Sequence, residues 1–242
     1  MTDIDFFAKL LERAGEPEHA QKIAEREAAA YQDKVPPALI RFWIDHGRGS
    51  FQQGKFWICD PAPFKPVIEQ IFEGDPEFDP ADMQMIGYDA FAKLTIWHRK
   101  KRNIYINMLR PDVFNPSSVA YSDKMSGEVW SEDATVGRAF TIYLDMDEEC
   151  DNRNVPLLRQ AIDHLGLLRP GEIYGFFPPL VLGGDETVAN LKRVDAPIHM
   201  SILAQFSKFP LTRMTAPEPP DYPYGRIEVI RLIGTQRGNR AP

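Results

Sequence analysis

Residues 83–109 read MQMIGYDAFAKLTIWHRKKRNIYINML. Three short apolar runs, MQMIGYDAF, KLTIWH and NIYINML, follow one another with no helical stretch between them. Runs this short and this rich in Ile, Tyr, Trp and Thr read as strands. Arg99, Lys100, Lys101 and Arg102 join the last two as a basic hairpin tip. That tip reads as a solvated turn that blunts an edge, with contact to a phosphate or an acidic partner as the other reading. Strands linked so directly form antiparallel pairs. Helical stretches on both sides of the block make the expected class α+β, with two domains, each a small, mainly antiparallel sheet packed with helices.

Working outward, Thr2-Asp3 caps a helix through Phe6, Leu10 and Leu11 that stops at Gly15. Pro17 opens a second, Ala-rich helix from Glu18 to about Tyr31, and Pro37 opens a third, ALIRFWIDHG, ended by Gly47. GKFWICD reads as a strand, and Asp60-Pro61 begins a helix through Val67, Ile68 and Ile71. From Arg110 to Ser131 prolines, serines and Gly127 appear without periodicity, as in a linker. Beyond it come a helix to about Leu144, an acidic loop, a helix from Val155 to Leu165, and the strand EIYGF. ETVANLKRV and PIHMSILAQF read as two more helices, and RIEVIRLIG as a possible final strand. The expected division is 1–115, 116–216, and a proline-rich tail, 217–242.

The chain has 242 residues, of which 43% are hydrophobic, enough for cores that need no disulfide or metal. Cys59 and Cys150 show no CxxC or Cys/His spacing, which suits reduced thiols in a reducing, cytoplasmic compartment. The acidic start lacks signal-peptide features, and no apolar run reaches the length of a membrane span. A net charge of −7 argues against direct nucleic-acid binding and is compatible with a basic protein partner.

Five carboxylates, Asp145, Asp147, Glu148, Glu149 and Asp151, fall within residues 145–151. As a calcium loop counted from Asp145, the sixth and twelfth positions would need Gly and Glu; they hold Cys150 and Pro156. The five histidines form no HExxH or HxH, and neither a GxSxG elbow nor a phosphate loop with its GK[ST] is present. The expectation is therefore a non-enzyme without metal or cofactor. In GEIYGFFPPLVLGG (171–184) the glycines read as architectural: Gly171 turns, Gly175 sits inside a strand, and Gly183-Gly184 turn toward Asp185, a cap for the next helix. Anion binding by the Gly183 and Gly184 amides is the alternative there.

LLRQAIDHLGLLRPGEIYGFFPPLVLGG (157–184) and APIHMSILAQF (196–206) together resemble a C-terminal domain of bacterial proteins. That likeness joins Gly166, Glu172, Tyr174, Gly175, Gly183, Gly184 and His199 in order. VPPALIRFWIDHGRGSFQQGKFWICDP (35–61), continuing through YDAFAKLTIWH (88–98), resembles the GAD-like domain that commonly precedes it. The resemblance implies a type VI secretion immunity protein that binds and neutralises a cognate DNase effector. It points to a stoichiometric partner, and to contacts in the parts that match least. The acidic run Asp145–Asp151 would then steer a basic toxin domain, with Tyr222 and Tyr224 as anchors. The rival expectation is a ligand pocket or acid–base cleft around Glu172, Tyr174, Gly183, Gly184 and His199.

Overall fold

A computed structural model describes residues 4–116, 130–215 and 226–234. Seven α-helices are present among them: α1 (Phe6–Ala14), α2 (Glu25–Ala28), α3 (Pro37–Asp45), α4 (Lys65–Phe72), α5 (Glu132–Asp145), α6 (Leu157–Leu165) and α7 (Ala196–Phe206). The strands are β1 (Glu18–Gln21), β2 (Arg48–Phe51), β3 (Phe56–Ile58), β4 (Met83–Asp89), β5 (Lys93–His98), β6 (Arg102–Asn107), β7 (Asp112–Phe114), β8 (Glu172–Phe176), β9 (Leu191–Asp195), β10 (Pro210–Met214) and β11 (Ile227–Leu232). The fold is α+β.

Nine strands form one sheet in the order β1-β2-β3-β4-β5-β6-β7-β10-β11, and β8 pairs with β9 in a small second sheet. Every neighbouring pair is antiparallel except β7 and β10, which run parallel. The strands are thus unevenly shared: the second half of the chain adds β10 and β11 to the sheet begun by the first.

Side chains alternate across this sheet as the two-residue strand period requires. Phe56, Ile58 and Trp97 face a layer made by α1, α3 and α5. Trp57, Leu94, Ile96, Ile104 and Ile106 face the opposite layer, made by α4, α6, α7 and the small sheet. Burial on both faces explains why the three apolar runs carry so few charged residues.

One irregularity sets the position of α5. The register passes from Met85 opposite Ile96 to Gly87 opposite Thr95, so Ile86 is the extra residue of a bulge. Both Ile86 and Gly87 then lie on the α5 side. A Cβ at Gly87 would stand 2.6 Å from the Phe140 ring and 2.7 Å from the Trp57 carbonyl oxygen. The missing side chain is a notch, and Phe140, fully buried, fills it. Three residues on, the Tyr143 hydroxyl hydrogen-bonds the Thr95 hydroxyl at 2.7 Å, satisfying two polar groups under the same helix.

Three sequence expectations are corrected. Glu18–Tyr31 is not one helix: it is strand β1, then α2 and a 3-10 turn at Ala29–Tyr31. Glu18–Gln21 has no apolar side to bury, and β2 presents Gly49, where a Cβ would lie 2.6 Å from the Glu18 carbonyl oxygen. Close backbone pairing outweighs helix propensity there. ETVANLKRV is likewise a 3-10 turn (Val188–Asn190) followed by β9, because β8 needs a hydrogen-bonded neighbour and Leu191 has a core to enter. Asp185 consequently caps no helix. Within the stretch read as a linker, Asp112–Phe114 forms β7. β2 and β10 were missed for the same reason, being short segments whose strand character comes from their neighbours.

The basic tip between β5 and β6 belongs to interior strands and folds back on the chain's own carboxylates. Arg99 and Lys100 reach Asp82 at 2.6 and 2.7 Å, and Lys101 reaches Glu77 at 3.7 Å.

If the Phe140 notch ties α5 to the sheet, Phe140→Ala should cost about 3–5 kcal/mol, the range for deleting a buried aromatic ring. Gly87→Ala should cost about 1–3 kcal/mol by overpacking. Urea titrations followed by tryptophan fluorescence and by circular dichroism should shift together; loss of one signal ahead of the other would show that α5 is not coupled to the sheet.

Candidate functional site

The acidic segment leaves the C-terminal end of α5, and the structure sorts its five carboxylates into different roles. Asp145 is exposed and ion-paired with the exposed Arg13 at 2.5 Å; the hydrogen bond from that guanidinium holds its carboxyl below the ordinary range. Asp151 is buried. Its carboxylate accepts hydrogen bonds from the backbone N–H groups of Val155 and Arg153, both at 2.9 Å, which pull its pKa down. It closes the turn that starts α6, a structural task.

Glu149 is also withdrawn from solvent, with 8% of its side chain exposed. Lys93 of β5 reaches it at 2.8 Å, Arg110 is bound to its other oxygen, and Arg110 extends to Glu186 at 2.5 Å. Burial by itself would raise the Glu149 carboxyl, but the hydrogen bonds from Lys93 and Arg110 carry it below its usual value. Burial pushes Asp89, beside Lys93, up to about 6, outweighing the Lys93 charge and the Phe91 and Lys93 N–H groups that hydrogen-bond its carboxylate. This chain of charges joins β5 and the β6–β7 turn to the loops before α6 and β9.

Asp147 and Glu148 remain exposed, and among the described residues neither forms an ion pair. Glu148 stands on the rim of an open cleft of about 460 Å³. Leu144, Leu158 and Ile162, from α5 and α6, form its apolar floor, while Gln52, Gln53 and Lys55 approach from the turn between β2 and β3. Gln52, Gln53 and Gly54 all have positive φ (53°, 60° and 85°), so this turn is tight and projects its two amide side chains outward. Arg159, paired with Asp163 at 3.1 Å, completes the lining, so the cleft offers apolar side chains, amide donors and acceptors, and charges of both signs.

The second group of sequence candidates does not converge. Glu172 accepts a hydrogen bond from the Arg169 N–H at 2.9 Å, and the buried Tyr174 hydroxyl donates to the Gly166 carbonyl at 2.7 Å. His199 lies against Gly175, where a Cβ would stand 2.7 Å from its Nε2. Gly175 follows Tyr174 in β8, so its missing Cβ belongs to the opposite face of the strand. His199 is buried, with its pKa lowered by that burial, and packs near Phe177 at 5.4 Å between ring centres. Gly183 turns in the left-handed region at φ 85°, and a Cβ on Gly184 would collide with the Pro178 carbonyl. These residues hold the turn around β8. Tyr222 and Tyr224 lie outside the described residues. Among the described residues no cluster of His, Cys, Asp and Glu could hold a metal, and no helix is long and apolar enough to cross a membrane.

Sequence reasoning did not find the Lys93–Glu149–Arg110–Glu186 network, nor the Gln52–Gln53 turn as its neighbour across the cleft. Only the five-carboxylate run was visible, and it gave no signal as to which members would be neutralised.

Glu149→Gln should destabilise the protein at neutral pH by about 2 kcal/mol, less than a fully buried pair would lose because Arg110 is half exposed. The depressed Glu149 carboxyl contributes stability fully above the unfolded value of about 4.3, and this is lost as pH falls through its lower folded value. The gap between wild type and variant should thus be constant above about pH 5 and close in acid. Denaturant midpoints measured from pH 3 to 8 check it; a gap that widens in acid contradicts it.

Residues 5–110 match the GAD-like domain, and residues 138–207 match the family described as T6SS immunity protein Tdi1, C-terminal. The second match begins inside α5 and takes in the acidic segment, the cleft floor and α7. Among solved structures, the crystal structure of Atu4351 from Agrobacterium tumefaciens is similar with a TM-score of 0.78 and 25% identity, covering 95% of this chain and 98% of that one. No curated protein matches the chain. A GAD-like domain followed by the C-terminal domain of the Tdi1 immunity family gives this chain the architecture of a type VI secretion immunity protein.

Proposed function

We propose that the protein neutralises a cognate DNase effector by binding it one-to-one and covering the cleft through which the effector holds DNA. The observation that carries this reading is the exposure of Asp147 and Glu148, which form no ion pair among the described residues, with Glu148 on the rim of an open cleft whose α5 and α6 side lies in the immunity-family segment. A nuclease needs a positively charged surface to hold the phosphate backbone. That surface is attracted at long range by exposed negative charge, while affinity depends on desolvated apolar anchors of the kind Leu144, Leu158 and Ile162 can receive. Glu149 and Asp151 contribute to this role indirectly, by fixing the loop that carries the two free charges.

The rival ligand or acid–base reading has less support. It requires Glu172, Tyr174 and His199 to share a cleft, whereas Tyr174 is tied to Gly166 and His199 packs across the opposite face of β8.

The direct test uses the cognate nuclease, to be sought among the products of the neighbouring genes. Purified protein should abolish plasmid cleavage at one equivalent, and the two should elute together; undiminished cleavage in excess protein would refute the reading. Association should be slowed by about tenfold at low salt in the Asp147→Asn, Glu148→Gln double variant, with dissociation unchanged. The difference should fade as salt rises and screening shortens. Stopped-flow binding at two ionic strengths reads both quantities, and an unchanged association rate would remove the loop from the encounter.

A further inference from the structure

Helix α7, APIHMSILAQF, is apolar nearly all round, and one side of it has nothing to cover it among the described residues. His199, Met200 and Leu203 turn into the core, whereas Ile198, Ile202 and Phe206 are 64%, 41% and 56% exposed. These three stand at i, i+4 and i+8, so they form one continuous row along the helix. Its surroundings add two more exposed apolar residues. Phe177 packs beside His199, and Leu182 belongs to the 3-10 turn Leu180–Leu182 that lies against α7. Apolar side chains exposed singly need no partner, but a clustered set marks a contact surface.

The row has the form that a second copy of itself completes. Residues spaced by four make a ridge that packs into the groove beside the same ridge of another helix. Turned about a two-fold axis through Ile202, one α7 meets the other antiparallel, with Ile202 at the centre and each Ile198 opposite a Phe206. The charges at the two ends suit that arrangement. Asp195 lies seven residues before Ile202 and Lys208 six residues after it, so each Asp195 comes level with a Lys208 of the other copy. Both side chains are exposed, and among the described residues neither forms an ion pair; Asp195 holds one oxygen on the Ile198 N–H at 2.9 Å as the helix cap. The flexible four-carbon stem of lysine spans the gap that crossed helices leave at their ends. Antiparallel helix dipoles add to the match. A basic nuclease suits this side less well, because Lys208 closes one end and Lys192 stands 4.8 Å from the Phe177 ring centre near the other.

We infer that α7 is the self-association face of this protein, through which two copies pair as an antiparallel, two-fold dimer. No residue of α7 lines the cleft at Glu148, so the inference stands apart from the way an effector is bound. One helix face is small beside the ~800 Å² per partner of a standard interface, so the dimer should form only at high protein concentration, on the order of 100 µM.

Sedimentation equilibrium of the full chain across a wide concentration range should show the mass rising from one chain toward two. Ile202→Lys at the centre of the row, or Ile198→Lys at its most exposed position, should weaken association by about tenfold or more, with the melting temperature in dilute solution unchanged. Lys208→Glu sets like charges together and should weaken it by about threefold at low salt, a gap that closes as salt rises. A wild-type chain that stays monomeric throughout overturns the inference; binding of the cognate nuclease, or of phosphatidylglycerol vesicles, that Ile198→Lys abolishes would then name the occupant instead. A dimer that survives both isoleucine variants lies on another surface and overturns it as well. A dimer lost in those variants but indifferent to Lys208→Glu overturns the antiparallel pairing.

Discussion

The packing of Phe140 into the notch at Gly87 is the contact on which the placement of the rest depends. A bulge at Ile86 turns two consecutive residues toward α5, and the second has no side chain. An aromatic ring can then sit against the sheet backbone, where any Cβ would exclude it. Tyr143, at the end of the same helix, is held by Thr95. With α5 fixed at both points, the chain must emerge at Asp145 beside the β2–β3 turn, and the acidic segment can reach nowhere else. The location of the candidate site is therefore a consequence of core packing two turns upstream.

From that point, desolvation decides which charges can act at a distance. Lys93 and Arg110 draw Glu149 into the protein, and backbone N–H groups engage Asp151. Once paired in this way, a carboxylate projects little field into solvent. Asp147 and Glu148 retain theirs because nothing in the described structure answers them. The network joins Lys93 and Arg110 to Glu149 and Glu186, so the charges that position the loop tie the GAD-like segment to the immunity-family segment. The shared sheet does the same through its backbone, with β10 laid parallel against β7.

Several elements were legible in the amino-acid order because their causes are local. The strands β4, β5 and β6 announce themselves by apolar density, α3 by Pro37 and its broad apolar face, α6 by its stripe and the Gly166 stop, and the α+β class follows from their order. The absence of nucleophile, metal and phosphate-loop patterns could also be read directly. The resemblance to GAD-like and immunity domains rested on stretches such as 35–61 and 157–184, where turns and core positions fix residue types closely.

What the sequence left undecided depends on partners distant along the chain. Glu18–Gln21 and Leu191–Asp195 have compositions that allow a helix, and became strands because β2 and β8 had unpaired backbone to offer. Glu172, Tyr174 and His199 look alike as candidates in one dimension, yet Glu172 and Tyr174 share one face of β8 while His199 of α7 packs on the other, against Gly175. The five acidic residues of 145–151 are equivalent as letters. Only the fold brought Arg13 to Asp145 and both Lys93 and Arg110 to Glu149, turned backbone N–H groups on Asp151, and left the other two carboxylates exposed, because ion pairing is set by distance in space and burial, neither of which a linear charge count contains.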